Sequence, residues 1–248
     1  MRFSTYKFKN HKIFLVSGNK KSTGVSKSSL ILSDIIPSLL NMNILDVGCG
    51  IGYMTTGALF AGARKVVATD ISNMNKILRE NIKINNFNQK QLIFIKSNLF
   101  SNVPKSIKFN AIIANLPQHA LPATPSAKNL KGKYGGYDGT DLVCKSLTEG
   151  AYYLQSGGKY FGAVSRLTNF KRTMDLAKCL YKIKIRKTIL KTLTRNEMSP
   201  YVSEEELFNH LRKLKERKLV EYTGGARKPI IYKVHLCEFI LKGEKFLH

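Results

Sequence analysis

Two hydrophobic rhythms organise the chain. From residue 43 onward, short runs rich in β-branched and aromatic residues alternate with stretches whose apolar positions recur at helical spacing. NILDV (43–47), KVVAT (65–69), LIFIK (92–96), NAIIA (110–114) and KYFGAVS (159–165) are predicted strands. Between them, 53–61, 73–85 and 138–155 read as helices; in the last, Val143, Leu147, Ala151 and Leu154 fall on one face and Asp138 is placed to cap the N-terminus. Strand and helix in strict alternation predict an α/β fold with a mostly parallel sheet.

The ends carry a different texture. Ahead of residue 43 come an apparent hairpin, KFKNHKIFLV (7–16), a Gly/Ser/Lys-rich loop, GNKKSTGVSKSS (18–29), and a short helix ending near Pro37. After Leu167, a helix through Leu180 leads into the strand KIKIRKTILKTL (182–193). An amphipathic helix at 203–219 follows, with Leu207, Leu211 and Leu214 on one face, then the turn TGGARKP (223–229) and a final β run, IIYKVHLCEFIL (230–241). The expected organisation is an accessory hairpin and helix, 1–42, ahead of one domain, 43–248, in which 195–228 is inserted between the last two strands. No internal repeat or low-complexity tract interrupts it.

Composition narrows the class. The chain has 248 residues, 43% hydrophobic and 23% charged, which suits a globular protein. No run approaches the roughly 18 apolar residues of a membrane helix, so a cytoplasmic protein with no membrane partner is expected. Cys49, Cys144, Cys179 and Cys237 are scattered without ligand spacing, which argues against a metal site and against a disulfide framework. The net charge of +25 makes acidic partners plausible, and 159–191 holds ten basic residues against Asp175 alone. Within that segment Lys182, Lys184 and Arg186 alternate with Ile183 and Ile185, which reads equally as a phosphate-facing surface or as a protected edge strand. The region 195–228 balances eight basic against six acidic residues, which argues against DNA reading there.

The chemistry enters at the end of the first core strand. NILDV runs through Asp46-Val47-Gly48-Cys49-Gly50-Ile51-Gly52 directly into a helix, where glycines let the backbone turn sharply and approach a ligand. Asp70 ends the next strand, 24 positions after Asp46, where a carboxylate can hold two ribose hydroxyls. DVGCGIG matches every fixed position of D-x-G-x-G-x-G, and the region resembles the class I S-adenosylmethionine-dependent methyltransferases. That resemblance implies a Rossmann-like fold with a seven-stranded sheet, helices on both faces and an antiparallel C-terminal strand. It also implies S-adenosylmethionine as cofactor: Gly48, Gly50 and Gly52 shaping the pocket for the methionine part, Asp46 near its amino group, Asp70 on the ribose, Asn98 facing the adenine, and Cys49, Ile71 and Leu99 among the cofactor-binding residues. Asn98 stands where the family usually has an acid.

The fourth strand exits through IIANLPQH (112–119), which resembles the N-P-P-Y type motif of amino-group methyltransferases, including the protein-glutamine methyltransferases of the HemK type. An amide nitrogen is a poor nucleophile until its hydrogens are drawn toward acceptors, so the resemblance implies that the Asn115 side-chain oxygen and the Leu116 carbonyl aim it, with Pro117 fixing the turn. Asn115 thus also borders the cofactor. Leu116 replaces a frequent Pro, and Gln118 replaces the usual aromatic stacker; Tyr134 and Tyr137 are the nearest rings that could substitute, or Gln118 hydrogen-bonds a smaller polar substrate. His119 is assigned to the rim. GGYDG (135–139) matches the HemK-type segment before the fifth strand, with Thr140 in place of an apolar residue, and Gly157-Gly158 matches the turn into that strand. The implied function is methyl transfer to an amino or amide nitrogen of a macromolecule, either a protein glutamine or a nucleic-acid base. A small-metabolite acceptor and a non-catalytic RNA- or ribosome-binding module are the alternatives.

Overall fold

The computed structural model describes residues 3–16, 24–129, 134–193, 202–225 and 228–243. Part of the expected glycine-serine loop (18–23), the head of the expected insertion (195–201) and Ala226–Arg227 of the expected turn lie outside the described residues. In chain order the elements are β1 (Phe3–Phe8), β2 (His11–Val16), α1 (Lys27–Leu32), β3 (Asn43–Val47), α2 (Tyr53–Phe60), β4 (Lys65–Asp70), α3 (Asn75–Ile84), β5 (Leu92–Lys96) and β6 (Phe109–Ala114). Then come α4 (Pro125–Lys128), α5 (Asp141–Tyr153), β7 (Leu154–Ser165), α6 (Phe170–Leu180), β8 (Tyr181–Thr192), α7 (Glu204–Glu216), β9 (Thr223–Gly225) and β10 (Lys228–Leu241).

The sheet runs β5-β4-β3-β6-β7-β10-β8, with β9 added beside β10. The pairs β5-β4, β4-β3, β3-β6 and β6-β7 are all parallel, and the C-terminal strand is antiparallel. Order reverses beside β3, so the ends of β3 and β6 flank the switch point where ligands of open α/β sheets bind. The register sets Asp46 against Ile113 and Val47 against Ala114, which brings the glycine loop and Asn115 to the same end of adjacent strands. β3 and β6 are buried almost throughout, which explains their near-continuous apolar runs.

The chain forms two compact units: Met1–Asn115 with Glu149–Gly162 and Glu238–His248, and Leu116–Thr148 with Ala163–Cys237. In the first, β1 and β2 form a six-pair antiparallel hairpin tied down by α3. Asn85 exchanges two hydrogen bonds with the Phe14 backbone (3.0 and 2.6 Å). Asn81, fully buried, accepts from the Val16 N–H (2.7 Å) and donates to the Ile51 carbonyl of the glycine loop (2.6 Å). A buried amide with both ends satisfied holds the hairpin and the loop in one arrangement.

Several boundaries differ from the sequence expectation for local reasons. The strand expected at 159–165 begins at Leu154, and Gly157-Gly158 lies inside it rather than ahead of it. Phe109 pairs with Leu154 while Ala111 pairs with Lys159, so the extra residues bulge, with Gly157 at φ 69°. The helix expected from Asp138 begins at Asp141, because Gly139 has φ 78°. Asp138 therefore does not cap it; its buried carboxylate instead accepts from Thr140, Asn169 and Arg172, which pulls it below the ordinary carboxylate range against the cost of burial. The expected turn contains β9, which pairs antiparallel with β10. In the second unit, Leu207, Leu211 and Leu214 of α7 are buried as their spacing predicts.

Candidate active site

The residues expected to hold a cofactor come together in the first unit. Asp46, the fourth residue of β3, is 2% exposed and accepts a hydrogen bond from the Thr55 hydroxyl on α2 (2.6 Å). Burial pushes its carboxyl up to about 7; the Thr55 bond works against that rise and the charge of Asp70 adds to it. Such a carboxylate favours a cation as neighbour, because a positive charge offsets the cost of ionising it in a dry site.

The loop from β3 to α2 takes left-handed backbone at Gly48, Gly50 and Gly52. Gly48 and Cys49 donate their N–H groups to the Thr69 carbonyl (2.8 and 2.9 Å), which presses the loop onto β4. A Cβ on Gly50 would meet nothing within 4 Å, whereas one on Gly52 would lie 2.3 Å from the Leu78 side chain of α3. Gly50 therefore faces open space and Gly52 lets α3 approach closely. Cys49 is buried, and its thiol is pushed well above the usual range, so it packs without acting as a nucleophile.

Asp70 terminates β4 and braces the loop from the side, accepting from the Gly50 N–H (3.0 Å) and the Ser72 N–H (2.9 Å). Ile71 beside it is 55% exposed, an apolar side chain left beside a polar carboxylate. At the next strand end, Asn98 is exposed and Leu99 takes φ 54°. A ribose-and-base ligand needs this donor set: a carboxylate for hydroxyls, an uncovered aliphatic surface for a ring, and glycine backbone nearby. The chemistry of these residues fits S-adenosylmethionine: Asp70, Ile71 and Asn98 suit an adenosyl part, and Asp46, Gly48 and Gly50 suit a methionyl part.

Asn115 follows β6 directly, half-buried. Its Nδ2 donates to the Ser26 hydroxyl (3.0 Å) and the Ser29 hydroxyl (2.7 Å) at the start of α1. Neither serine was singled out from the sequence; their spacing suits a helix cap, and Ser26 does accept from the Ser29 N–H (3.0 Å), but nothing local ties them to Asn115. Thr55 was likewise missed.

In the second unit, Leu116 is buried and Pro117 half-buried. Gln118 donates to the Ala163 carbonyl (2.8 Å) and accepts from the Ser165 N–H (3.1 Å), so both ends of its amide serve the β7 backbone. Expected as a substrate contact, it is found stitching its loop to a strand. His119 bridges to Tyr134, and Tyr137, 41% exposed, packs edge-on against His210. Of the basic segment, Lys159, Arg166, Lys171, Arg172 and Lys178 each meet a carboxylate, and β8, at the end of the strand order, carries Lys182, Lys184 and Arg186 with their side chains exposed. The edge-strand expectation for β8 thus holds. Among the described residues no group of His, Cys, Asp and Glu could hold a metal, and no helix is long and apolar enough to cross a membrane.

The geometry agrees with what the chain is similar to. Residues 30–133 match the family model described as ribosomal protein L11 methyltransferase (PrmA). A chain of Methanocaldococcus jannaschii, provisionally named a protein N5-glutamine methyltransferase, is 32% identical over 166 residues, covering 64% of this chain and 81% of the relative. Two further curated relatives are covered over about a third of their own length, 34% and 32%. Among solved structures, the T. thermophilus 16S rRNA methyltransferase RsmC, in complex with AdoMet and guanosine, superposes with a TM-score of 0.55 at 14% identity, covering 94% of this chain and 50% of that one. The YcgJ protein of Bacillus subtilis superposes at 0.58 with 13% identity, covering 87% and 97%. On the strand order, the glycine loop, its two aspartates and this kinship, the chain belongs to the class I S-adenosylmethionine-dependent methyltransferases.

Proposed function

We propose that this enzyme methylates an amino or amide nitrogen on a macromolecule, either a protein glutamine or a nucleic-acid base. The observation that carries this reading is the state of Asn115. Two serine hydroxyls take its Nδ2, and no donor among the described residues is recorded at Oδ1, which leaves the oxygen as the acceptor at the end of β6. An acceptor there suits a substrate nitrogen that still carries hydrogens, since drawing on an N–H raises electron density on the nitrogen and fixes its direction. The Leu116 carbonyl, next in the chain, is the second acceptor in this reading, held by the restricted backbone at Pro117. Bound S-adenosylmethionine supplies the activated methyl group; Asp46 and the glycine loop hold its methionyl part, and Asp70 its ribose.

Relatives support a nitrogen on a large substrate. The M. jannaschii chain is named for protein glutamine, the matching family model for a ribosomal protein, and RsmC for an rRNA base. The net charge of +25 suits approach to RNA or to a ribonucleoprotein. A small-metabolite acceptor drew its support from the short accessory segments and from Gln118 as a polar contact, and that amide is engaged by β7.

The test is transfer of tritiated methyl from S-adenosylmethionine into a cell extract separated into protein, RNA, DNA and small-molecule fractions. Label is expected in a macromolecular fraction, and Asn115→Ala is expected to reduce it to a small residual rate while cofactor affinity by calorimetry stays nearly unchanged. Label confined to small molecules, or normal turnover by Asn115→Ala, overturns the reading.

A further inference from the structure

A side-chain amide has two ends of nearly equal size and opposite chemistry. Rotated by half a turn, Asn115 would present N–H groups where the proposed function needs an oxygen, and those hydrogens would repel the hydrogens of a substrate nitrogen. Something must therefore choose the rotamer, and shape alone does not.

The structure places two hydroxyls at the point of choice. Ser26 Oγ and Ser29 Oγ lie 3.0 Å apart, and each is within hydrogen-bond reach of Asn115 Nδ2, at 3.0 and 2.7 Å. Ser26 Oγ is held in turn as the N-cap of α1, accepting the Ser29 N–H at 3.0 Å. Counting hydrogens shows why one orientation wins. With Nδ2 toward the serines, its two hydrogens go one to each hydroxyl, one hydroxyl donates to the other, and the cap bond remains, which makes four hydrogen bonds. With Oδ1 toward them, both hydroxyl hydrogens must turn to the oxygen, the bond between the hydroxyls is lost, and three remain. The observed orientation is richer by one bond, and the cap prevents Ser26 from turning away.

We propose that Ser26 and Ser29 are positioning residues whose hydroxyls lock the Asn115 amide with its oxygen toward the methyl acceptor. The inference rests on the role given to Asn115 above. It assigns to the first helix of the chain, 86 and 89 residues away in sequence, a direct hold on the group that aims the nucleophile. Removing both hydroxyls frees the amide to rotate, so that part of the population presents the wrong end.

Full-length Ser26→Ala/Ser29→Ala is expected to lower turnover of tritiated S-adenosylmethionine with the methylated extract fraction by about twofold to tenfold, the population shift that one lost hydrogen bond allows. Cofactor affinity by calorimetry should stay within about twofold, which places the loss in turnover rather than in binding. Ser29→Thr, which keeps a hydroxyl, should restore most of the activity. In the Asn115→Ala background the double serine change should have no further effect on the residual rate, since a positioning role has nothing left to position. The Asn115 side-chain amide resonances, identified by their loss in Asn115→Ala, should shift in the serine variant.

If the double variant loses its circular dichroism, the two single alanine variants carry the same expectations at smaller size. Wild-type turnover in a folded variant lacking the hydroxyls, no rescue by Ser29→Thr, or a further fall in the Asn115→Ala background would overturn the proposal. Should Asn115→Ala itself turn over normally, the reading beneath it fails instead, so the two failures are told apart.

Discussion

Asp46 offers the sharpest test of how stability and cofactor binding trade against each other. Its carboxyl is 2% exposed, and burial raises it from 3.8 to about 7, even though it accepts a hydrogen bond from the Thr55 hydroxyl that works against the rise. In the unfolded chain the group ionises near its ordinary value. Below about pH 4 it is protonated in both states; between about 4 and 7 the unfolded chain is ionised while the folded protein still binds the proton, so the site lowers stability as pH rises, and the loss levels off above about 7. The gap from 3.8 to about 7 corresponds to roughly 4 kcal/mol. Asp46→Asn keeps the shape and the acceptor for Thr55 but cannot ionise. It should leave the ligand-free protein close to wild type in urea denaturation at about pH 4.5, and more stable by about 2–4 kcal/mol at about pH 8. A stability difference that does not grow with pH would refute the argument. The same change should weaken S-adenosylmethionine, whose ammonium favours the ionised carboxylate. Calorimetry in two buffers at about pH 6 should therefore show a proton released by the wild type on binding and none by Asp46→Asn.

Asp70→Ala removes the acceptor for both the Gly50 and Ser72 N–H groups as well as the expected ribose contact, so cofactor affinity should fall by about a hundredfold or more; unchanged affinity by calorimetry would sink the assignment. Gln118→Ala should destabilise the protein by about 1–3 kcal/mol, because the Ala163 carbonyl and Ser165 N–H lose their partner. A change in acceptor KM with unchanged denaturation midpoint would instead return Gln118 to the substrate.

Much of the fold was legible along the chain because it is written in local rules. The central strands are buried, so they read as unbroken apolar runs, and DVGCGIG carries glycine at three positions that take positive φ. The ends of β7 and α5 were misjudged because the deciding events, a bulge at Gly157 and a positive φ at Gly139, depend on pairing and packing that neighbouring residues do not specify. Asp138 read as a cap because it stands before an apolar helical pattern; its true partners, Asn169 and Arg172, come from the helix after the next strand.

The sequence by itself determined the order of elements, the glycine turn and the carboxylates at the strand ends, because backbone conformation and burial period are properties of contiguous residues. Tertiary structure alone decided what the amides do. Asn115 and Gln118 sit three positions apart in the same loop, and each carries a donor and an acceptor that no local rule can orient. Ser26 and Ser29 take the nitrogen of the first, and β7 takes both ends of the second. A side chain that can either give or accept a hydrogen bond acquires its function from whatever folding brings beside it.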